Sequence, residues 1–274
     1  MSREVNVSIV AYRTPFDEIR ACVGTLRQNG HIGEIYIVDN SPHYDSRLAA
    51  LGAIYIHNGK NMGYGAAHNV AIRRSLENGA EYHLVMNSDI TFSSGIFDTI
   101  VPFMDSHADI AALMPKAVYP SGEIQRLCRL LPSPADLLCR RTLPKRLTRK
   151  RIARYEMHRF SYDSIINVPF ISGCFMMLRC AALRTAGLFD ERYFMYMEDV
   201  DLSRRLHRRW RTVFFPQTTI VHEYRRSSSI SKRMLMIHFI NMCRYFNKWG
   251  WFSDKERRRI NSAALSQDET PPKP

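Results

Sequence analysis

The sequence predicts an α/β protein with a mostly parallel central β-sheet flanked by helices. Short segments rich in Val and Ile alternate with segments whose apolar residues recur every three or four positions over residues 1–115. This alternation of strands and helices is typical of a parallel sheet. The 274 residues, 45% of them hydrophobic, are enough to bury a full core. No apolar run reaches the roughly 18 residues that a membrane span needs.

The elements of the first half follow one another in a regular order. They are strands at Val5–Tyr12, Glu34–Val38, Ala53–His57 and Tyr82–Met86, with helices at Phe16–Gln28 and Gly63–Ser75. In open sheets of this kind, ligands bind beyond the carboxyl ends of the strands. The polar residues at three such ends are therefore candidate site residues: Tyr12 and Arg13, Asp39 and Asn40, and Asn87–Asp89.

The second half is less regular. It predicts, in chain order, a hairpin turn at Tyr119–Glu123, a basic and partly helical segment at Arg140–Arg159, an apolar segment at Phe170–Leu178, a short helix ending near Gly187, a charged helix at Glu198–Trp210, strands at Thr212–Phe215 and Thr219–Val221, and an aromatic-rich amphipathic segment at Met234–Phe252.

Two acidic clusters and one histidine are the candidates for chemistry. Asp89 closes the fourth strand, where a carboxylate can hold a divalent cation that bridges a diphosphate. The tripeptide Asn87–Asp89 taken alone is more typical of a turn or a helix N-cap. The carboxylates of Glu198, Asp199 and Asp201 repel one another, which costs stability unless a cation or a catalytic task offsets it. The structural alternative is that they are acids on a solvated face at the start of a helix. His222 ends a short strand and is structural unless it lies beside these acids.

The segment Asn61–Asn69 contains two glycines in a GxGxx pattern. A dinucleotide fingerprint needs Gly or Ala at its sixth position, where this chain has His68. The fingerprint also follows the first strand of its fold, whereas this segment follows the third predicted strand. We therefore reject a Rossmann cofactor site. Gly63 and Gly65 are expected to let the backbone pass close to a ligand or close to the sheet.

The formal net charge of +13 is concentrated in two segments. Arg140–Arg159 and Arg225–Arg259 each carry a net charge of +8, so the rest of the chain is slightly acidic. Such an arrangement indicates two local contacts with anions rather than a uniformly basic protein.

The partner that the basic segments favour is an anionic membrane surface. Nucleic acid is disfavoured, because the aromatic residues of the first segment are limited to Tyr155 and, just past its end, Phe160. The second segment adds an aromatic run that suits a membrane interface: Phe246, Trp249, Trp251 and Phe252. The alternative is that the C-terminal helix packs on the domain or forms a homodimer interface.

Taken in order, these segments resemble family 2 glycosyltransferases of the GT-A fold, in the bacterial rhamnosyltransferase-like branch. The resemblance runs from about Val5 to Ser228. The segments that carry it are Val7–Tyr12, Ile37–Ser41, Asn61–Asn69, Asn87–Asp89, Ser172–Met176, Gly187–Glu191, Tyr196–Leu202 and Val221–His222.

The resemblance implies a donor site. Asp39 would pair with the pyrimidine base of a nucleoside-diphosphate sugar, and Gly63 and Gly65 would give the donor close access to the backbone. The donor-binding residues implied in this way are Tyr12, Arg13, Asp39, Asn61, Gly63, Gly65, Asn69 and Asn87.

The resemblance also implies a metal site and a base. Asp89 and His222 would hold Mn²⁺ or Mg²⁺ on the donor diphosphate. Asp199 would be the general base, within the catalytic acidic pair that it forms with Glu198. Asn87 stands where the first acid of the DxD motif is found in other members, so the metal affinity is expected to be lower.

The implied activity is inverting sugar transfer in bacterial surface polysaccharide synthesis. The donor would be dTDP-rhamnose or a UDP-sugar, and the acceptor a hydroxyl of a glycan or a polyprenyl-linked saccharide. Galactofuranosyl and N-acetylhexosaminyl transfer stay open within the family. A basic nucleic-acid-binding or non-catalytic sugar-nucleotide-binding protein is the alternative outside enzymes. The expected location is cytoplasmic and peripheral on the inner face of the plasma membrane, since the N-terminus has no apolar signal segment.

The same reasoning divides the chain. We expect a GT-A catalytic domain at residues 1–230, with a nucleotide-binding half at 1–115 and an acceptor half at 116–230. A C-terminal amphipathic helical extension is expected at 231–261, and a disordered tail at 262–274.

Overall fold

A computed structural model of the chain describes residues 4–142, 144–223 and 232–267. The strands in these ranges are β1 (Val5–Ala11), β2 (Ile32–Asp39), β3 (Ile54–His57), β4 (Tyr82–Met86), β5 (Ile90–Phe92), β6 (Ile110–Val118), β7 (Ile166–Asn167), β8 (Phe175–Arg179) and β9 (Arg211–His222). The helices are α1 (Phe16–Arg27), α2 (Ser46–Ala49), α3 (Tyr64–Glu77), α4 (Ile96–Ser106), α5 (Pro134–Thr142), α6 (Lys145–Tyr155), α7 (Cys180–Ala186), α8 (Glu198–His207), α9 (Lys232–Trp249) and α10 (Lys255–Ser266).

The described strands form one sheet in the order β3-β2-β1-β4-β8-β6-β9-β5, with β7 paired to β9. In its first half β1 is parallel to both β2 and β4, and β2 is parallel to β3. In its second half β8 is antiparallel to β4 and β6, and β5 is antiparallel to β9. The predicted α/β class with a flanked central sheet is confirmed, but the sheet is mixed beyond β4.

Apolar layers cover both faces of the sheet. Helices α1 and α4 pack on one face, and α3, α7 and α8 pack on the other. Strand β4 shows the alternation that this requires: Leu84 and Met86 belong to the first layer, and Val85 belongs to the second. Burial on both faces explains why this strand is an uninterrupted apolar run in the sequence.

The first-half elements lie within a few residues of their predicted bounds, and the predicted hairpin turn is present, with the Tyr119 N–H donating to Glu123 O over 2.8 Å. One prediction in the second half is wrong. Thr212–Phe215 and Thr219–Val221 are not separate strands but parts of β9, whose register against β6 shifts between Phe215 and Thr219. Pro216 lies in this irregular stretch, and a proline has no N–H to continue the ladder.

The C-terminal helices pack on the rest of the protein. Met242, Tyr245 and Phe246 of α9 and Ile260 of α10 are buried in a cluster with residues that flank the start of α8. The predicted disordered tail from residue 262 is wrong over its first part, because α10 continues to Ser266; residues 268–274 lie outside the described ranges. No helix in the described part of the chain has both the length and the apolarity needed to cross a bilayer.

Candidate active site

Three chain segments meet at one edge of the sheet. Because β8 is antiparallel to β4, its amino end lies beside the carboxyl end of β4, and the Asn87 N–H donates to Cys174 O over 2.9 Å. The turn after Asn87 leads into β5, where Ile90 pairs with His222 of β9. The topology therefore brings Asn87–Asp89, Ser172–Cys174 and His222 together.

Asp89 and His222 form a close pair at this edge. Asp89 Oδ1 lies 3.3 Å from His222 Nε2, and the side chains are 17% and 5% exposed. Their backbones are also linked, since the Glu223 N–H donates to Asp89 O over 3.0 Å. The separation of the two side-chain atoms is therefore set by strand pairing rather than by flexible loops.

The donor set of this pair fits a divalent cation. Two ligands about 2.1 Å from a shared octahedral ion lie about 3 Å apart, which is close to the observed separation. A carboxylate oxygen with an imidazole nitrogen suits Mn²⁺, and also Mg²⁺ with lower preference for the nitrogen. No cluster of three or more His, Cys, Asp or Glu side chains that could hold a metal ion is found in the described ranges.

Tyr64 connects the metal-pair segment to the acidic helix. Its hydroxyl lies 2.7 Å from Gly173 O and 3.1 Å from Asn87 Oδ1. The Gly173 N–H donates in turn to Asp199 Oδ2 over 3.3 Å. Asn87, predicted as a donor-binding residue, is thus placed between Asp89 and the Tyr64 hydroxyl.

The two carboxyl groups at the start of α8 have different environments. Burial and then the charge of Asp199 raise the pKa of Glu198 well above its usual range, and Glu198 Oε2 has no hydrogen-bond partner. Burial also raises the pKa of Asp199, but the N–H groups of Gly173 and Val200 and the charge of Arg129 oppose this. These opposing contacts favour ionisation of Asp199 over ionisation of Glu198.

The third carboxylate of the acidic cluster has a structural role. Asp201 is fully buried, and its Oδ1 accepts hydrogen bonds from Trp249 Nε1 and Lys248 Nζ at 2.8 and 2.7 Å. Its Oδ2 pairs with Arg205 Nε at 2.9 Å. These partners offset the negative charge of Asp201, which reduces the repulsion within the acidic cluster.

A strained turn presents the acidic pair. Tyr196 and Met197 both have left-handed backbone angles, with φ of 69° and 71°. Each such residue costs on the order of 1 kcal/mol, so the turn needs support from its surroundings. Asn241 Nδ2 of α9 donates to Met195 O over 2.8 Å, and the Tyr64 N–H donates to Phe194 O over 2.9 Å. Helices α9 and α3 therefore hold the turn from two sides.

The predicted base pocket lies at the ends of β1 and β2. The buried Asp39 carboxylate accepts from the Ser41 N–H at 2.8 Å and from the Tyr55 hydroxyl at 2.7 Å. Tyr12 is 45% exposed and lies under the Arg13 guanidinium, 5.5 Å from its ring centre. Asp39 is fixed in orientation, with an aromatic side chain exposed nearby, and its role toward a base stays a prediction.

Three of the donor-binding residues implied in the Asn61–Asn69 segment make close contacts within the protein itself: Gly63, Gly65 and Asn69. A Cβ on Gly63 would lie 2.2 Å from Phe194 O, and one on Gly65 would lie 2.8 Å from Phe189 Cβ. The glycines therefore allow close approach of the protein's own second half, and their role toward a donor stays a prediction. Asn69 is fully buried and bonded to Phe189 N, Phe189 O and Glu191 Oε1. Asn61 accepts hydrogen bonds from Gly63 N and Asn40 Nδ2 at 3.0 and 3.3 Å, beside the Asp39 pocket.

Sequence reasoning missed Tyr55, Tyr64, Gln125 and Arg129. The last two belong to residues 119–133, which have little regular structure and are held by bridges at Ile124 and at Arg129. Gln125 contacts His222, and the Arg129 guanidinium lies over the Phe170 ring and near Asp199. The local sequence singles out neither residue, because the same stretch also contains the charged residues Glu123 and Arg126.

Comparison with solved structures defines the class of fold. The fold is similar to GalNAc-T7 solved with UDP, GalNAc and Mn²⁺, at a TM-score of 0.63 and 12% identity, covering 98% of this chain and 52% of that one. It is also similar to the mannosyltransferase PcManGT from Pyrobaculum calidifontis, solved with GDP-Man and Mn²⁺, at a TM-score of 0.59 and 12% identity, covering 98% of this chain and 76% of that one. The predicted GT-A fold is thereby confirmed.

Residues 47–241 match the family described as Glycosyltransferase like family 2, and the chain belongs to that family. It is also similar to an N-acetylglucosaminyl-diphospho-decaprenol L-rhamnosyltransferase of Mycobacterium tuberculosis, with 30% identity over 180 residues. That match covers 62% of this chain and 58% of the relative's length.

Proposed function

We propose that this chain is a metal-dependent, inverting glycosyltransferase. Its donor is a nucleoside-diphosphate sugar, with dTDP-rhamnose as the first candidate, and its acceptor is a hydroxyl of a polyprenyl-diphosphate-linked saccharide. Family membership supports the reaction class, and the name of the mycobacterial relative supports rhamnosyl transfer to an acceptor linked to a polyprenyl diphosphate. A UDP-sugar donor, including one for galactofuranosyl or N-acetylhexosaminyl transfer, is the second candidate.

The observation that carries this proposal is the position of Asp199. It is the carboxylate at the start of α8 whose ionisation is favoured, and Gly173 and Tyr64 link it to the segment that bears Asp89. A base and a candidate metal pair at one sheet edge are what a displacement on a diphosphate sugar requires. Glu198, predicted as part of the catalytic pair, contributes here as an uncharged neighbour.

The residues of the chain suggest one displacement. Asp199 takes the proton of the acceptor hydroxyl while its oxygen forms a bond to the anomeric carbon of the sugar. The bond between that carbon and the diphosphate oxygen breaks, and the nucleoside diphosphate leaves with the electron pair. Because attack and departure occur on opposite faces, the anomeric configuration inverts.

Asp89 and His222 are the residues that would hold the metal. A divalent ion supplies positive charge that stabilises the leaving diphosphate. Arg129 adds a fixed positive charge near Asp199, which favours the ionised form of this base. Asp39 and Tyr12 are the residues proposed to orient the pyrimidine base.

Replacing Asp89 by Ala is expected to weaken binding of a nucleoside diphosphate in the presence of Mn²⁺ or Mg²⁺. The reason is the loss of one of two protein ligands in the proposed pair. Calorimetric titration with dTDP measures the effect, and EDTA should abolish the difference between variant and wild type. Ser88→Ala is the matched control, because the Ser88 hydroxyl bonds to Glu18 over 2.5 Å. Full wild-type transfer in EDTA would contradict the metal role.

Replacing Arg129 by Gln is expected to move the acidic limb of the kcat/KM profile to higher pH. The charge of Arg129 lowers the pKa of Asp199, so its removal lets burial raise that pKa further. The base is active above its pKa, and the rate therefore falls off earlier as the pH is lowered. Arg126→Gln is the control, because the Arg126 guanidinium lies over the Tyr162 ring, 5.4 Å from its centre. A shift to lower pH, or an equal shift in the control, would contradict this role.

We propose that α9 contacts a membrane through its first half, rather than through the predicted aromatic run at residues 246–252. Most of the aromatic run packs against the protein itself. The Trp249 ring centre lies 4.2 Å from Arg204 Cζ, Trp249 Nε1 donates to Asp201, and Phe246 is buried. Phe252 is 86% exposed. In the first half of α9 an apolar stripe is instead exposed, formed by Leu235, Met236, Phe239 and Ile240. Leu235, Phe239, Met242 and Phe246 follow one another at spacings of four, three and four residues and therefore lie on one face of α9. The exposed stripe thus continues into the buried Met242 and Phe246.

The composition around this exposed stripe favours a lipid surface as its occupant. Lys232 and Arg233 are exposed at the same end of α9, and α6 carries further exposed cations, including Arg146, Arg149 and Lys150. Apolar side chains beside cations are typical of a helix that lies in an anionic interface. A second copy of the chain on the stripe is the competing outcome.

Vesicle sedimentation separates these outcomes. Changing Arg146, Arg149 and Lys150 together to Ser is expected to weaken binding to anionic vesicles on the order of a hundredfold at low salt, since each cation contributes about 1 kcal/mol. Changing Leu235 and Phe239 to Ser should weaken binding at any salt concentration. Arg20, Arg47 and Arg74 changed to Ser are the charge-matched control. Equal binding to neutral and anionic vesicles, or concentration-dependent dimers lost in the α9 variant, would contradict membrane docking.

A further inference from the structure

Gln125 joins two strand ends to the imidazole of His222. Its side chain is 3% exposed, and its Nε2 lies 2.7 Å from His222 O and 3.5 Å from Val118 O. Its Oε1 lies 2.9 Å from His222 Nδ1. The Gln125 N–H also donates to Ala117 O over 2.8 Å, so its backbone is fixed to β6.

These contacts determine the orientation of the amide. The neighbours of Nε2 are carbonyl oxygens, which accept hydrogen bonds and never donate them. The NH₂ group must therefore face the carbonyls, and the amide oxygen must face the imidazole. A flipped amide would place Oε1 against His222 O at 2.7 Å, where two acceptors repel.

The orientation of the amide in turn selects the tautomer of the imidazole. Gln125 Oε1 can only accept, so His222 Nδ1 must carry a proton. In the neutral ring the lone pair is then on Nε2, the atom 3.3 Å from Asp89 Oδ1. A lone pair facing a carboxylate oxygen at this separation is an arrangement that a cation stabilises.

We propose that Gln125 is a positioning residue, which holds His222 in the Nδ1–H tautomer and aims Nε2 at the cation shared with Asp89. This inference rests on the proposed metal-dependent function. A hydrogen bond to the second ring nitrogen orients metal-bound histidines in general, and removing such a partner weakens metal affinity about tenfold to a hundredfold.

The test measures Mn²⁺ binding directly, by the loss of the free-ion signal in electron paramagnetic resonance with saturating dTDP. Gln125→Ala is expected to raise the Mn²⁺ dissociation constant about tenfold to a hundredfold. Gln217→Ala is the matched control, since Gln217 is an exposed glutamine on β9. An unchanged constant in Gln125→Ala overturns the proposal.

A double-mutant cycle distinguishes positioning from a general effect on the fold. In a His222→Ala background, Gln125→Ala should change the constant by less than about twofold, because its target is absent. A full tenfold loss in that background would show that Gln125 acts elsewhere and overturns the proposal.

Nitrogen NMR of the wild-type imidazole provides a measurement that needs no folded Gln125 variant. The His222 resonance, assigned by its loss in His222→Ala, should show the Nδ1–H tautomer at a pH where the ring is neutral. An Nε2–H tautomer overturns the positioning role alone. Absence of Mn²⁺ binding by the wild type overturns the metal role of the proposed function together with this inference.

Discussion

Replacing Asp199 by Asn is expected to lower the rate of sugar transfer about 10²- to 10⁴-fold while leaving donor binding close to wild type. An amide has nearly the size of the carboxylate and can still accept from the Gly173 N–H, but it cannot take a proton. Nucleoside diphosphate release with acceptor present measures the rate, and titration with dTDP measures binding.

Glu198→Gln is the informative partner variant. Burial and the Asp199 charge raise the pKa of Glu198 well above its usual range, which favours an uncharged Glu198 carboxyl next to Asp199. We therefore expect a much smaller loss of rate than in Asp199→Asn. Wild-type turnover in Asp199→Asn together with an inactive Glu198→Gln would assign the base to Glu198.

The second large effect is expected on stability. Arg204 is 1% exposed, and its guanidinium makes a bidentate pair with Asp254 at 2.7 and 2.8 Å. It also bonds to Glu256 at 2.8 Å. Arg204→Met leaves these acids at the start of α10 without their buried cation, which typically costs about 3–5 kcal/mol. Urea unfolding should show a loss of this size in the free energy of unfolding.

Arg208 is the matched control for this prediction. It caps the carboxyl end of the same helix, also bonds to Glu256 at 2.7 Å, and lies over the Trp249 ring, but its side chain is 50% exposed. Exposed ion pairs contribute about 0–1 kcal/mol, so Arg208→Met should have a small effect. Equal losses in the two variants would mean that α10 is not joined to α8 through a buried ion pair.

The parts of the fold that follow from local patterning were predictable. The first four strands are short apolar runs between turn signals, and β4 has the predicted bounds, Tyr82–Met86. The antiparallel insertion of β8 between β4 and β6 was not predictable, because strand order depends on contacts between residues far apart in sequence. The continuity of β9 across Pro216 and the packed position of α10 depend on the same kind of long-range contact.

The candidate site divides in a similar way. Asp89, Asp199 and His222 were identifiable because the resemblance carries their residue types, and the sheet edge brings their segments together. The different environments of Glu198, Asp199 and Asp201 were not predictable, since they depend on burial and on partners from α9. Gly63, Gly65 and Asn69 were identified as special positions, but the sequence does not say that Phe189 and Phe194 occupy the space beside them.

The anomeric configuration of the product tests the central claim most directly. Wild-type enzyme would be incubated with dTDP-rhamnose, Mn²⁺ and a polyprenyl-diphosphate-linked N-acetylglucosamine, and the one-bond C1–H1 coupling of the new glycoside would be read by NMR. One displacement with Asp199 as base predicts a configuration opposite to that of the donor. A product that keeps the donor's configuration would contradict the mechanism, and absence of a glycoside with every nucleoside-diphosphate sugar supplied in its place would contradict the proposed function.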